Sequence, residues 1–345
     1  MLDFKNKSII ITGGTGSFGR RFTRKVIEEV PGIKCLAIFS RDEYKQQRMA
    51  EEFPQSKYPA IKYILGDIRD FDRLNQVFTG MDYVVHAAAL KQVDISEANS
   101  MEFVKTNIMG TENVIRAAQQ NKVKKVIGLS SDKAVNPVSL YGATKMCSDK
   151  LFISANFHPY ESCTKFTIVR YGNVIGSRGS VIPLFLRKKK DKKLPITDLE
   201  MTRFHVPIGV ESNTILFALQ HSQGGEIIIP KLSAFRISDV ANTICAECAH
   251  QTIGLRSGEK KHEELIGAEE TAYTYDIGQH YLVVPQNQSF NFNYYKLSSA
   301  NLKKVSDNFQ YSSDNGLYLL SINEIQEEIR KYIDWDNSLF EQRKT

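Results

Sequence analysis

Four short apolar runs open the chain: SIIITGG from Ser8, CLAIFSR from Cys35, IKYILGD from Ile61 and YVVHAAA from Tyr83. Each is rich in Val and Ile and continuous rather than alternating, the pattern of strands covered on both faces. Between them GRRFTRKVIEEV, EYKQQRMAEEF and RDFDRLNQVFTG read as helices. The rhythm resumes after Asn107, with GTENVIRAAQQNK as a helix, KKVIGLSSD as a strand, SLYGATKMCSDKLFISAN as a long helix and KFTIVRYGNV as another strand. Such alternation predicts an α/β fold, a doubly wound parallel sheet with right-handed crossovers. From about Gly176 the pattern breaks into shorter pieces. GGEIIIP, from Gly224, reads as one more strand, so the chain is expected to return to the sheet around residues 204–232. The tail is polar and aromatic, with weak periodicity.

A length of 345 residues accommodates one large α/β domain and a smaller lobe. The 42% hydrophobic and 24% charged content is that of a globular protein, and no run approaches the roughly 20 apolar residues that span a bilayer. The opening MLDFKNKSIIITGG has no charged region followed by a long apolar stretch, so a cytoplasmic protein with no membrane contact is expected. The net charge of +6 suits an anionic ligand. The basic run RKKKDKK (187–193) reads as a solvated helix end, its cations facing the C-terminal dipole. Without interleaved aromatics it does not point to nucleic acid. Five scattered cysteines argue against a disulfide framework. Cys245 and Cys248, with His250 behind them, could form a zinc or redox site, or the stretch SDVANTICAECAH could be a helix burying two small thiols. The lack of a second ligand pair favours the helix, and no metal is expected.

The first strand ends in GGTGSFG, which sets Gly13, Gly16 and Gly19 at GxxGxxG spacing. Glycine is needed there for a tight turn, for backbone approach to a pyrophosphate and for close helix–sheet packing, and the next helix points its free N–H groups at the phosphate. With Thr15, Ser17 and Phe18 these residues form the expected dinucleotide cradle of a Rossmann domain over residues 1–175. Residues 176–345 are expected to be mainly a substrate-binding lobe and C-terminal extension. The second strand ends in Ser40-Arg41-Asp42, with Lys45 nearby. An acidic residue there would take the 2′-hydroxyl of NAD, whereas Ser-Arg with a lysine suits a 2′-phosphate and favours NADP; Asp42 argues the other way. Asp67, with Ile68, is placed for the adenine edge or as the N-cap of the following helix, two compatible readings. Ala87, Ala88 and Lys91, closing the fourth strand, complete the expected cofactor wall.

Tyr141 and Lys145 lie four apart on one helix and therefore share a face. An ammonium there would lower the phenol pKa and bind the nicotinamide ribose, and the tyrosinate would accept a proton from a substrate hydroxyl.

Through TGGTGSFG, SRDEYKQ, GDIRD, HAAALKQV, KTNIMGTENV, SSDKAVNPVSLYGATK, VRYGNVIGSRGSVIP, PITDLEMTRF and GLRSGEKKHEEL, the chain resembles the extended short-chain dehydrogenase/reductases that act on nucleotide sugars. More narrowly, it is similar to the C5-inverting UDP-N-acetylglucosamine 4,6-dehydratases that begin pseudaminic acid and related glycan pathways. That resemblance implies Lys133 as the base at C5, Asp132 as the acid at C6 and Ser131 as the hydrogen-bond partner of the C4 oxygen. Epimerases of the group carry small non-acidic residues at 132–133, and hexose dehydratases an Asp-Glu pair. The plainer reading of Asp132-Lys133 is an ion pair or cap in a surface turn. Buried near the cofactor, Lys133 would be expected to have a lowered pKa. Tyr141 and the lack of a membrane segment match the inverting members.

The resemblance further implies that Lys91 approaches the substrate or nicotinamide, its plainer reading being a surface lysine. Asn173 and Val181 match sugar-nucleotide positions, Thr197 and Met201 to Arg203 the uridine segment, and Arg256 and Glu259 the diphosphate and ribose grip. It also implies a homo-oligomer, a dimer or hexamer. Ser257 in place of proline, HVPIGVESN after MTRF and the tail after Gly267 depart from the pattern. The alternatives are a 4-epimerase, a 4,6-dehydratase of another nucleotide sugar, or a non-catalytic NADP-binding protein. Retention of Ser131, Asp132, Lys133, Tyr141 and Lys145 together argues against the last.

Overall fold

The seven apolar runs are all strands, and they pair as one sheet. In a computed structural model, which describes residues 4–157, 164–175, 180–286, 290, 292, 295, 302–315 and 319–341 (backbone alone beyond 333), the first half runs β1 (Ser8–Thr12), α1 (Ser17–Glu29), β2 (Cys35–Ser40), α2 (Glu43–Glu52), β3 (Ile61–Leu65), α3 (Phe71–Phe78) and β4 (Tyr83–His86). Two short helices, α4 (Val93–Ser96) and α5 (Ser100–Phe103), pass through a π-helical turn, Val104–Met109, into α6 (Gly110–Gln120). Then follow β5 (Lys125–Ser131), α7 (Leu140–Ser154) and β6 (Lys165–Tyr171). Cys163 and positions 176–179 of the VRYGNVIGSRGSVIP stretch lie outside the described residues.

Past that gap come α8 (Val181–Lys188), β7 (Lys193–Ile196), β8 (Thr202–His205), α9 (Val210–His221), β9 (Ile227–Pro230), β10 (Ser233–Arg236), α10 (Ile237–Ile244), β11 (Ala249–Thr252) and β12 (Glu264–Ile266). Strands β3-β2-β1-β4-β5-β6-β9 are parallel neighbours, so the doubly wound order reverses between β1 and β4. Beyond β9 the sheet continues antiparallel through β14 (His280–Val283), β13 (Thr274–Asp276) and β15 (Lys303–Lys304). These strands have only two to four residues, too few for periodicity to reveal them.

The unbroken apolar runs follow from burial on both faces. On β1, Ile10 packs with Val84, Val126 and Phe166 under α6 and α7, while Ile9 and Ile11 join Val85, Ile127 and Val169 beside α1 and α9. All are essentially inaccessible to solvent, and each such side chain contributes roughly 1.5–3 kcal/mol. A third core, with Phe185, Leu194, Met201, Phe235 and Val240 in it, knits the smaller lobe and receives Ile325 and Ile329 of the C-terminal helix, Ile322–Glu341.

The Cys-X2-Cys segment differs from expectation. The helix α10 stops at Ile244, Cys245 turns to an extended backbone, and Cys245 and Cys248 form a disulfide, their Cα atoms 5.3 Å apart. The link closes the turn from α10 to β11, where a continuous helix with two free thiols had been expected. The basic run does begin as a helix end, with Arg187 and Lys188 in the last turn of α8. Among the described residues, no cluster of three or more His, Cys, Asp or Glu is arranged to hold a metal, and no helix is long and apolar enough to cross a membrane.

Candidate active site

At the switch point between β1 and β4 the chain opens a cavity of about 430 Å³, lined by Gly13, Thr15, Gly16, Ser17, Phe18, Ser40, Arg41, Asp42, Lys45, Asp67, Ile68, Ala87, Ala88 and Lys91. Ligands of open α/β sheets bind in this crevice. Gly13 has φ +67°, and a Cβ there would stand 2.7 Å from Ala88 Cα. Gly19 does not line the cavity; it packs α1 directly onto the Gly14 backbone. Gly16 caps α1 without any side-chain bond, so the first N–H groups of the helix remain available to an anion. Thr106, on the cavity wall, buries a hydroxyl with no hydrogen-bond partner. A cradle that a Cβ would fill, a free helix terminus and an orphaned hydroxyl fit a dinucleotide.

Two acidic residues of this rim have local duties. Asp42 accepts from Lys45 N at 2.9 Å, capping α2, and its carboxylate lies 2.5 Å from Lys45 Nζ; that hydrogen-bonded ammonium holds its carboxyl below the ordinary range. Asp67 is not the cap of α3, a place taken by Asp70, which accepts from Arg73 N. It is paired instead with Arg69 at 2.8 Å and Arg41 at 3.7 Å.

A second cavity, about 500 Å³, shares Lys91 with the first and is walled by Ser131, Lys133, Tyr141 and Asn173. β5 delivers Ser131 at its end, the turn Asp132–Ala134 follows, and α7 carries Tyr141 and Lys145. Gly142 lets the turn sit on the helix, since a Cβ there would collide with the Lys133 carbonyl. Asp132 stands behind the wall, wholly buried, with Oδ1 accepting from Ser131 Oγ at 2.8 Å and Lys133 Nζ at 3.1 Å. Lys145 Nζ donates to the Leu129 carbonyl at 2.6 Å. One turn on along α7, Asp149 accepts from Ser130 Oγ at 2.6 Å and meets Arg170, itself paired with Glu270.

Both expected pKa shifts come out with the opposite sign. Burial pushes the Tyr141 phenol up to about 12, against the opposing pull of Lys133 and a Ser131 hydrogen bond. Lys145 is itself lowered by burial, with Asp149 resisting. For Lys133 burial lowers the pKa, but the carboxylates of Asp132 and Glu263 outweigh it and hold the ammonium above its ordinary value. Glu263, 2.8 Å from Lys133 Nζ and wholly buried, had not been foreseen. Its only sequence signal is an acidic residue inside GLRSGEKKHEEL, a stretch in which the resemblance points to Arg256 and Glu259 alone.

The loop after β4 is tied to α7 by Asn107, whose position the π-helical turn sets. Its side chain exchanges two 2.9 Å bonds with the Leu90 backbone and donates to Thr144 Oγ1 at 2.9 Å.

The third cavity, about 220 Å³, joins the second at Asn173 and gathers Val181, Thr197, Met201, Arg203, Arg256 and Glu259 under an apolar wall of Phe185, Phe235 and Ile237. Arg256 pairs with Glu259 and Asp94, each at 3.3 Å, and Arg203 with Glu259 at 3.2 Å. The predicted substrate residues thus form a track that leaves the Tyr141 cavity toward the smaller lobe.

A family model described as polysaccharide biosynthesis protein matches residues 9–285. The chain is 44% identical over 332 residues to the UDP-N-acetylglucosamine 4,6-dehydratase (inverting) of Campylobacter jejuni subsp. jejuni serotype O:2, covering 94% of this chain and 98% of that protein. It is also 38% identical over 343 residues to the UDP-glucose 4-epimerase of Rickettsia canadensis, covering 95% and 99%. Among solved structures it resembles Pen from Bacillus thuringiensis with a TM-score of 0.85 and 36% identity, over 96% of this chain and 100% of that one. The chain belongs to the polysaccharide biosynthesis protein family and is built on the extended short-chain dehydrogenase/reductase fold.

Proposed function

We propose that the chain is an NADP-dependent hydro-lyase that converts UDP-N-acetylglucosamine to a UDP-4-keto-6-deoxy-hexosamine with inversion at C5. The observation that carries this reading is that Tyr141 and Lys133 open into one cavity, between a dinucleotide cradle and an arginine-lined track. A dinucleotide held by Gly13, Thr15, Gly16 and Ser17 would supply reversible two-electron chemistry, so the overall reaction would be redox-neutral. Tyr141, as phenolate, removes the C4 hydroxyl proton while Ser131 hydrogen-bonds that oxygen. The ketone acidifies the C5 hydrogen, which Lys133 takes as neutral amine. Asp132 protonates the C6 hydroxyl, the C–O bond breaks and water leaves; the C5–C6 double bond that remains takes back the two electrons with one hydrogen at C6 and a solvent-exchanged proton at C5 on the opposite face. Arg256 and Arg203 suit the diphosphate and uridine ends. The same reading, by family likeness, makes the chain a cytoplasmic homo-oligomer at the first step of a pseudaminic-acid-type or capsular sugar route.

Incubation with UDP-N-acetylglucosamine in deuterated water tests the reading. The expected product is lighter by one water, carries deuterium at C5 and forms without accumulation of reduced nicotinamide. Intact sugar with the cofactor fully bound would refute the activity. The epimerase relative supports a second reading, and a product of unchanged mass inverted at C4 would select it.

The choice of NADP rests on Arg41 and Lys45. Arg41→Ala is expected to weaken NADP about tenfold and leave NAD unchanged, the loss of one charge-assisted contact. Asp42→Ala should lower stability by about 1 kcal/mol, as for a lost N-cap, with the NADP-to-NAD preference unmoved. Paired nucleotide titrations and thermal melts read both; weaker NAD binding in the Asp42 variant would make that residue a ribose ligand.

A further inference from the structure

Lys133 meets two conflicting demands. To take the C5 proton its amine must be neutral, yet it lies between Asp132 Oδ1 at 3.1 Å and Glu263 Oε1 at 2.8 Å. Glu263 is wholly buried and its backbone is fixed: its N–H donates to Ser313 Oγ at 2.9 Å, and the Ser313 N–H donates to its carbonyl at 2.7 Å. Among the described residues its carboxylate meets two cations, Lys133 and, at 3.7 Å, Arg203 Nε. A carboxylate is buried this way only with partners that repay its lost hydration.

We propose that Glu263 is a positioning residue for the C5 base. Its Oε1, 2.8 Å from Lys133 Nζ, holds the amine in place as an ion-pair partner with the lone pair facing the sugar, and it is the counter-ion of the ammonium that forms. This rests on the dehydratase reading and deepens it. The proton balance closes within the cluster. In the resting ion pair one proton passes from Lys133 Nζ to Asp132 Oδ1, breaking an N–H bond and forming an O–H bond. Neutral amine and carboxylic acid appear together, with no change in net charge. The amine then takes the C5 proton and the acid gives its own to the C6 oxygen. The C6–O bond breaks, water departs, and the ammonium and carboxylate are restored. Glu263 stays ionised throughout, in the orienting part that a buried carboxylate plays beside a catalytic histidine.

The groups that face Lys133 are Asp132 on its own turn, Tyr141 from α7, Arg203 from β8, and Lys260 and Glu263 from the segment before β12. Removing one negative charge from this set lowers the pH at which the Lys133–Asp132 pair takes up a second proton and is switched off. The experiment is Glu263→Gln in the full enzyme, with deuterium wash-in at C5 followed across pH. C5 exchange is expected to fall about 10- to 100-fold at neutral pH, and its acid limb to move down by about one pH unit. C4 oxidation, read as transient reduced nicotinamide in a single turnover, should be unchanged. Glu263→Asp, with the same charge at shorter reach, should show a smaller loss and a partial shift of the limb.

A slower variant with an unmoved limb would reduce Glu263 to a packing role and overturn the proposal, as would wild-type exchange. Should the glutamine variant fail to fold, the aspartate variant decides by the same limb. A wild-type enzyme that neither exchanges C5 nor releases water would instead overturn the dehydratase reading itself.

Discussion

Lys133→Ala is expected to stop water loss by about a thousandfold or more while leaving the dinucleotide bound and C4 oxidation slowed but measurable, since the ammonium also helps hold the Tyr141 phenol down. The magnitude follows from removing a general base outright. The selectivity follows from position, because Lys133 lines the cavity it shares with Tyr141 and not the one walled by the glycine turn. A second effect accompanies it. The variant leaves the Asp132 and Glu263 carboxylates buried together without the ammonium between them, and breaking such a pair costs about 3–5 kcal/mol. Burial already raises the Glu263 carboxyl, and Lys133 is the largest influence opposing that rise. In the variant the folded-state pKa climbs further above the unfolded one. The protonated carboxyl then favours the folded state at low pH, and that stability is lost as pH rises through the folded value. Melting temperatures taken across pH should therefore fall more steeply toward alkaline pH than those of the wild type. Product mass and melts measure the two effects separately; full turnover in Lys133→Ala would remove the residue from the chemistry.

Tyr141→Phe should fail one step earlier. The phenol is nearly buried, and burial pushes it up to about 12, so at neutral pH it rests protonated in the unliganded site. Its phenolate fraction grows as pH rises, and wild-type C4 oxidation is expected to quicken on the alkaline side. The phenylalanine variant should lose oxidation by about a thousandfold and lose that alkaline rise with it. Single-turnover absorbance of the reduced nicotinamide separates the two variants: a transient in Lys133→Ala, none in Tyr141→Phe. A transient of normal size in the phenylalanine variant would place the C4 proton acceptor elsewhere.

The parallel sheet was legible because its strands are covered on both faces, which leaves unbroken runs such as SIIIT that no surface strand needs. The glycine turn and the Tyr141–Lys145 spacing were legible because each is local, a backbone requirement or a single helix face. The antiparallel edge at β13–β15 was not, being too short for a period. Nor were the signs of the pKa shifts. They depend on burial and on charges such as Glu263 and Arg203, which fold against Lys133 from distant parts of the chain. The Asp42 cap was invisible for a related reason: in the sequence, an aspartate that serves its own helix looks the same as one that waits for a ribose.

Asn107 joins two surfaces that the chemistry needs at a fixed separation. One side-chain amide fastens the Leu90 backbone, in the wall of the cavity at the glycine turn, and the hydroxyl of Thr144, one residue before Lys145. A shift of either surface is therefore carried to the other through three short bonds and no flexible linker. The spacing between the cradle wall and the helix that bears Tyr141 and Lys145 is thus set by one buried side chain of the fold itself.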